Sequence, residues 1–111
     1  MLIDPARLTH FVARIFVAAG SSEDFADQVA HHLVEANLKG HDSHGVGMVP
    51  AYVANIRAGH LDVAAQVQVV RDSGAVMLVD GQFGFGQVVG SQAVDLAIER
   101  VRETGIAWSA A

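Results

Sequence analysis

The residues best suited to chemistry lie in one short stretch, GHDSHGVGMVPAY, at positions 40–52. It brings His41, Asp42, Ser43 and His44 together between glycines, directly before an apolar run. Imidazole exchanges protons near neutral pH, binds metal ions and can activate a neighbouring hydroxyl group. The stretch could therefore be a metal site, a nucleophilic site, an acid/base site, or a polar loop that starts a helix.

A metal site is the first alternative. His41 and His44 are three positions apart, which would place both rings on one face of a helix. His31 and His32 could supply further ligands. However, no acidic residue has the spacing of a known metal motif, and the zincin pattern His-Glu-x-x-His is absent. We therefore predict that the chain has no metal site.

A serine nucleophile is also disfavoured. Ser43 and His44 are adjacent in sequence, and adjacent side chains on a helix or turn usually point apart. The Gly-x-Ser-x-Gly pattern of a nucleophile elbow is missing. Asp42 or Ser43 could instead cap a third helix, with Gly40 and Gly45 easing the turn.

A helix cap, however, does not require His44. At a helix start this imidazole could exchange a proton with a substrate oxygen, while free backbone N–H groups nearby attract an anionic substrate group. The residues alone leave an acid/base site and a simple cap as equal alternatives.

A second stretch, at positions 80–90, has the glycine content of a dinucleotide-binding turn. Gly84, Gly86 and Gly90 spell Gly-x-Gly-x-x-x-Gly, one residue longer than the Rossmann fingerprint. That fingerprint also needs an acidic residue at the end of the next strand, and residues 106–111 contain none. We therefore predict a turn whose glycines permit positive φ angles and close packing.

The composition excludes several other classes. The net charge is −5, and the 7 Lys and Arg residues are scattered, which argues against a nucleic-acid partner. The absence of cysteine excludes disulfides and thiolate chemistry. The sequence shows neither a signal peptide nor a membrane-spanning stretch, so we expect a cytoplasmic protein without a membrane partner.

Hydrophobic periodicity predicts a mixed α/β fold with four helices. The predicted helices run from Pro5 to Gly20, from Ser22 to Lys39, from within 40–52 to Gly59, and from Val88 to Glu103. Phe11 and Val101 are expected on the buried faces of the first and last helices. A β-hairpin with its turn at positions 71–74 and a final strand that begins near position 106 complete the pattern.

Two regions are predicted along the chain. Residues 1–62 form an N-terminal helical region that carries the Ser-His motif, and residues 63–111 begin an α/β domain. The final strand is expected to find no partner in the remaining sequence. We therefore expect the chain to be a fragment of a longer protein.

The stretch at 40–52, followed by GHL at 59–61, strongly resembles the malate/L-lactate dehydrogenase family, which comprises NAD(P)-dependent 2-hydroxyacid dehydrogenases unrelated to the Rossmann-type enzymes. Further matches are EANL at 35–38, DG at 80–81, FGQ at 85–87 and TGI at 104–106. The resemblance covers essentially the whole chain. It is greatest to the N-terminal third of the hydroxycarboxylate dehydrogenase B group.

The resemblance implies hydride transfer between NAD or NADP and a 2-oxo or 2-hydroxy acid, in a homodimer or larger homo-oligomer. It implies that the region 63–111 begins a cofactor domain of non-Rossmann type. His44 matches the family's active-site histidine, which lies near both nicotinamide and substrate and acts as the acid/base, and Ser43 matches the adjoining active-site serine. Many members hold the substrate carboxylate with an arginine where this chain has Met48.

The resemblance also implies that the 111-residue chain has little or no activity by itself, because most of the cofactor site would lie elsewhere. The alternative is a non-catalytic small α+β module that oligomerises and binds no nucleotide. In that case exposed apolar surface around Trp108 and along the helices would drive assembly.

Overall fold

The computed structural model describes all residues, 1–111, and confirms the mixed α/β fold. The elements are α1 (Pro5–Ala18), α2 (Glu23–Leu38), α3 (Val49–Arg57), β1 (Gln68–Ser73), β2 (Val76–Asp80), α4 (Gly86–Thr104) and β3 (Trp108–Ala110). Two 3-10 turns, Asp42–His44 and Val46–Met48, precede α3. The chain divides into two compact units, Met1–Ala64 and Ala65–Ala111. None of the helices is long and apolar enough to cross a membrane.

The first helix begins as the sequence predicts. The Asp4 carboxylate accepts a hydrogen bond of 2.9 Å from the backbone N–H of Arg7. Pro5 occupies the first helical position, where a missing N–H leaves no helical bond unmade. The predicted burial of Phe11 is wrong: this side chain is 63% exposed, whereas Ala13 is buried. Phe11 lies at the flank of the narrow stripe that α1 buries, and nothing in this unit covers that flank.

The second helix packs along the first. Ser22 caps it by accepting a hydrogen bond of 3.2 Å from the N–H of Phe25. Gly40 follows the helix with a φ of 81°, a value that L residues rarely adopt. The buried apolar core of this unit comprises Val12, Ala13, Phe16, Ala26, Val29, Ala30, Leu33, Val34 and Val49. This α1–α2 pair is the support on which residues 40–48 lie.

The third helix begins at Val49, after the polar residues at 41–44 that the sequence placed at its start. Its N-cap residue is Met48, which makes no side-chain capping bond, and Pro50 lies in the first turn as predicted. The prediction that Asp42 or Ser43 caps this helix is wrong, because the 3-10 turns intervene. The rings of Phe16 and Tyr52 meet edge to face with centroids 5.8 Å apart, which fastens α3 to α1.

The second unit starts with the predicted hairpin. β1 and β2 are antiparallel, with a bulge between Val69 and Arg71. The turn is shorter than predicted, because Asp72 and Ser73 still pair with β2 and only Gly74 and Ala75 turn. The positive φ of Gly74, 75°, explains why the chain reverses there.

The final strand has a partner, so the prediction that it would find none is wrong. β3 pairs in parallel with β2, with Val76 opposite Trp108 and Leu78 opposite Ala110. Parallel neighbours need a crossover, and α4 provides it. The helix ends at Gly105, whose left-handed φ of 77° confirms the predicted stop.

The two faces of this small sheet differ in burial. Met77 and Val79 point from β2 into the core of the unit, where Phe85 and Val88 are also buried. The alternate residues of β2 and the neighbouring Trp108, which is 69% exposed, lie on the open face. Val101 is 42% exposed rather than inward as predicted, because the short β3 offers the last turns of α4 little sheet to cover.

Candidate active site

Residues 41–48 form a compact loop at the end of α2. The N–H of His41 donates to the carbonyl of Ala36 over 2.8 Å, which returns the chain towards the helix. The N–H of His44 then donates to the carbonyl of His41 over 2.9 Å and closes the first 3-10 turn. His44 is thereby held at the end of a tight turn, with its side chain exposed.

The structure brings the two predicted catalytic residues together. The Ser43 Oγ lies 2.9 Å from Nδ1 of His44, a hydrogen-bonding distance. A hydroxyl can donate to an unprotonated Nδ1 or accept from a protonated one. Ser43 can therefore stay bonded to the imidazole in both charge states. Since Nδ1 is occupied, Nε2 is the ring nitrogen left to exchange a proton.

Asn37 belongs to this site, although its place in the family-like stretch at 35–38 indicated no role for it. Its Nδ2 donates to Oδ1 of Asp42 over 2.7 Å, and its Oδ1 accepts from the N–H of Val46 over 2.8 Å. The amide therefore bridges both ends of the segment that contains Ser43 and His44. The only available sequence signal is an asparagine in the last turn of a helix that precedes a glycine-bounded loop.

His41, the other histidine of the motif, lies beside His44. The two ring centroids are 6.5 Å apart with the planes at 83°. The rings of His31 and His32 form a separate pair with centroids 6.4 Å apart. No three His, Cys, Asp or Glu side chains are arranged so that they could hold a metal ion.

An open depression of about 440 Å³ lies next to the imidazole of His44. Its lining residues are His32, Glu35, Ala36, Lys39, His41 and His44. Lys39 and Glu35 form an ion pair of 2.8 Å on one rim. The hydrogen bond from Lys39, and then its charge, lower the pKa of the Glu35 carboxyl below its ordinary value. Basic and imidazole groups thus dominate this surface.

The helix start expected beside His44 lies further along the chain, because α3 begins at Val49 with Met48 as its N-cap. Backbone N–H groups around the imidazole are engaged within the loop: that of Gly45 donates to Asp42 over 3.2 Å, and that of Met48 donates to Gly45 over 3.0 Å. The N–H of Val46 is bonded to Asn37. These three N–H groups are therefore not available to a substrate anion.

The glycine-rich loop of the second unit keeps its predicted packing role but not its predicted φ angles. A Cβ on Gly84 would lie 3.0 Å from the Cβ of Ala65, so this glycine serves close approach. The positive φ angles belong instead to Gln82 and Phe83, at 54° and 59°. The Asp80 carboxylate, which accepts from the Gln82 N–H over 2.8 Å, stabilises this unusual backbone.

Comparisons with known proteins identify relatives of this chain. Residues 3–111 match the family model described as malate/L-lactate dehydrogenase. The chain is 43% identical over 104 residues to hydroxycarboxylate dehydrogenase B of Escherichia coli strain K12, covering 94% of this chain and 29% of that protein. It is 41% identical over 99 residues to a malate dehydrogenase of Pyrococcus abyssi, covering 89% of this chain and 27% of that protein.

The fold is shared as well. The structure of malate dehydrogenase from Pyrococcus horikoshii superposes with a TM-score of 0.90 at 36% identity, covering 96% of this chain and 31% of that one. The chain thus spans less than a third of the length of these relatives. Because the family match extends over nearly every residue, the chain belongs to the malate/L-lactate dehydrogenase family.

Proposed function

We propose that the protein carrying this chain transfers a hydride between NAD(P) and a 2-hydroxy or 2-oxo acid, with His44 as the acid/base. The observation that supports this most directly is the hydrogen bond between Ser43 and His44, 2.9 Å long, at the edge of an open depression in a chain of this family. The bond occupies Nδ1 and leaves Nε2 for a substrate oxygen.

The proton inventory follows from the two side chains. When bound, the nicotinamide supplies or takes up the hydride at the substrate carbon. In reduction, the protonated His44 gives the Nε2 proton to the substrate oxygen, while Ser43 accepts from Nδ1–H. Afterwards the neutral ring keeps its Nδ1–H and the hydrogen bond to Ser43, and the exposed Nε2 regains a proton from water. Oxidation runs the same steps in reverse.

The residues present fit one end of such a cofactor. The depression of about 440 Å³ is within the range of small-ligand sites, so a ring and a small acid can lie beside His44. Lys39 and the imidazoles around it suit a negatively charged ligand. We propose contact of His44 with the nicotinamide end, whereas the remainder of the dinucleotide would bind residues outside this chain. Both NAD and NADP are compatible with these groups.

The substrate carboxylate needs an anchor other than the one many relatives use. Met48 has a thioether that offers no positive charge, and it is 38% exposed at the N-cap of α3. We propose that a cationic group elsewhere takes this role and that Met48 favours an apolar part of the substrate. Assembly as a homodimer and a cytoplasmic location complete the proposal.

One observation favours the second candidate, a non-catalytic module that oligomerises. The open face of the sheet carries Val76, Leu78 and Trp108, which are 51%, 44% and 69% exposed. Contiguous apolar surface of this kind is often covered by a partner or by further chain. Under this alternative the chain would form an oligomer and would not bind nucleotide.

The deciding experiment measures oxidation of NADH and NADPH by the gene product at its native length, with a panel of 2-oxo acids. We expect turnover with at least one acid, and a loss of about 100-fold or more in H44A. The matched control is H10A, which removes an exposed imidazole of α1 and should retain most of the activity. The 111-residue chain should be inactive, and absence of turnover in the native-length protein would refute the proposal.

The second candidate is tested on the same preparations. Titration with NADH or NADPH, followed by Trp108 fluorescence, reports nucleotide binding, and light scattering reports size. Quenching supports the dehydrogenase, whereas an oligomer that does not respond to nucleotide supports the module.

A further inference from the structure

We infer that Asn37 is a positioning residue that fixes the loop of His44 onto α2, so that the imidazole meets the substrate in one orientation. The catalytic consequence rests on the proposed function. The geometric consequence, an ordered His44 ring, can be measured without any turnover.

The two hydrogen bonds of Asn37 lie on either side of the reactive residues. The side chain reaches Asp42 with its amide nitrogen and the Val46 N–H with its oxygen, at 2.7 and 2.8 Å. The three residues between these contacts include Ser43 and His44. Because α2 is packed in the core of its unit, the amide ties a rigid element to both ends of the loop.

Gly45 shows how closely the loop approaches this amide. The glycine is buried, and a Cβ built on it would overlap the side-chain amide of Asn37. Its φ of −93° is available to any residue, so backbone freedom is not what requires glycine here. The requirement is space for Asn37, which indicates that the amide and the loop backbone pack as one unit.

Besides Asn37, the loop is bonded to α2 at its start, where the His41 N–H donates to the Ala36 carbonyl, and to itself through its two short turns. Each 3-10 turn is only three residues long, and such turns have poorer hydrogen-bond geometry than α-helices. The Val46 N–H is partly buried, so loss of Asn37 would leave it without a partner, at an energetic cost, if the loop stayed in place. Movement of the loop towards water avoids that cost, and the movement carries His44 with it.

The test uses reciprocal exchange of the amide and the carboxylate in the native-length protein. N37A removes both bonds. N37D places two carboxylates against each other. N37D/D42N restores the pair, because Asn at 42 can donate to Asp at 37 while Asp at 37 still accepts from the Val46 N–H. N55A, which truncates an exposed asparagine of α3, is the matched control.

We expect N37A and N37D to lower kcat by about 10–100-fold with little change in KM for the acid substrate, since misplacement by about 1 Å is enough for such a loss. N37D/D42N should recover most of it, and N55A should resemble the wild type. A purely structural role would instead lower thermal stability without separating kcat from KM. A kcat of N37A equal to that of N55A, or no recovery in the double variant, would overturn the inference.

A second readout follows the ring nitrogens of His44 by 15N NMR. In the wild type and in N37D/D42N, the Nδ1 signal should show the bond to Ser43. In N37A the Nδ1 chemical shift should move towards the value averaged over the tautomers of a free imidazole. Identical Nδ1 signals in N37A and the wild type would also overturn the inference. If the wild type shows no turnover with any 2-oxo acid, the proposed function fails, and this spectrum alone decides the role of Asn37.

Discussion

The Ser43 hydroxyl and the Nδ1 of His44 are hydrogen-bonded over 2.9 Å, although they belong to adjacent residues. Adjacent side chains usually diverge, but on the first 3-10 turn the side chains of Ser43 and His44 are turned towards each other. A hydroxyl bonded to an imidazole nitrogen is also the arrangement of an activated nucleophile, so it is the family match that favours the proposed proton transfer at Nε2 over nucleophilic attack by Ser43. Under the proposed function Ser43 orients the imidazole, and His44 carries the proton.

Replacement of Ser43 should therefore weaken catalysis without abolishing it. S43A removes a hydrogen bond whose net contribution is about 0.5–1.5 kcal/mol, which corresponds to a fall in kcat of up to about tenfold. S43T keeps a hydroxyl and should retain most of the activity. Steady-state rates with saturating cofactor measure the effect. A loss in S43A as large as that in H44A would instead assign Ser43 a direct chemical role.

Met48 offers a test of substrate selection. Arginine at this position adds a cation, and a charge-assisted hydrogen bond contributes about 1.5–3 kcal/mol. For oxo acids that carry a second carboxylate, M48R should therefore lower KM by about tenfold or more. M48L, which conserves an apolar side chain of similar size, is the control. An equal change for monocarboxylic and dicarboxylic substrates would show that position 48 does not face the second carboxylate.

Much of the fold is readable from the sequence because local signals act through single residues. Asp4 and Ser22 each accept the N–H that a helix start leaves unpaired, and Gly105 adopts the left-handed angle that ends α4. These are effects of one side chain or one φ angle. They need no knowledge of the neighbouring elements, so the sequence predicts these three helix ends almost correctly.

Features that depend on distant packing were missed. Periodicity alone placed Phe11 on a buried face, but its exposure depends on which neighbours cover α1. The pairing of β3 with β2 depends on how α4 returns the chain to the sheet, and sequence patterns do not show that path. The role of Asn37 depends on two contacts across a loop, and no spacing rule encodes them.

Arg100 and Asp72 provide a prediction on pH dependence. Arg100 donates to both carboxylate oxygens of Asp72, at 2.8 and 2.6 Å, and to the Gly74 carbonyl at 3.0 Å. The hydrogen bond from Arg100, followed by that from the Gly74 N–H, lowers the pKa of Asp72 below its ordinary value of 3.8. Because the pKa of Asp72 is lower in the folded protein, the charged carboxylate stabilises the fold at pH values above the ordinary pKa. This stabilisation is lost as the pH falls through the lowered pKa of the folded protein.

R100Q should therefore reduce the thermal midpoint at neutral pH, and the difference from the wild type should narrow as the pH falls below the ordinary pKa of Asp72. A residual difference should remain, because the bond to the Gly74 carbonyl does not titrate. R102Q removes the same charge from an exposed position and serves as the control. Calorimetry at a series of pH values measures both. A difference that is constant with pH would contradict the assignment.

The contact between Gly45 and Asn37 predicts that an added methyl group destabilises the protein at one of two nearby glycines and not at the other. A Cβ at 45 would collide with the Asn37 amide, whereas a Cβ at Gly47 would meet no atom within 4 Å. G45A should destabilise the protein by about 1–3 kcal/mol, the usual cost of added volume in a packed site. G47A should change stability by no more than about 0.5 kcal/mol.

The collision with Asn37 can be separated from any general intolerance of alanine at 45 by a double-mutant cycle. In the N37A background the amide is gone, so the further cost of G45A should shrink by roughly 1 kcal/mol or more. Urea unfolding of the four proteins measures this coupling. An additive cycle would mean that Gly45 is required for a reason unrelated to Asn37, and the loop would then be held by contacts other than the two hydrogen bonds of that side chain.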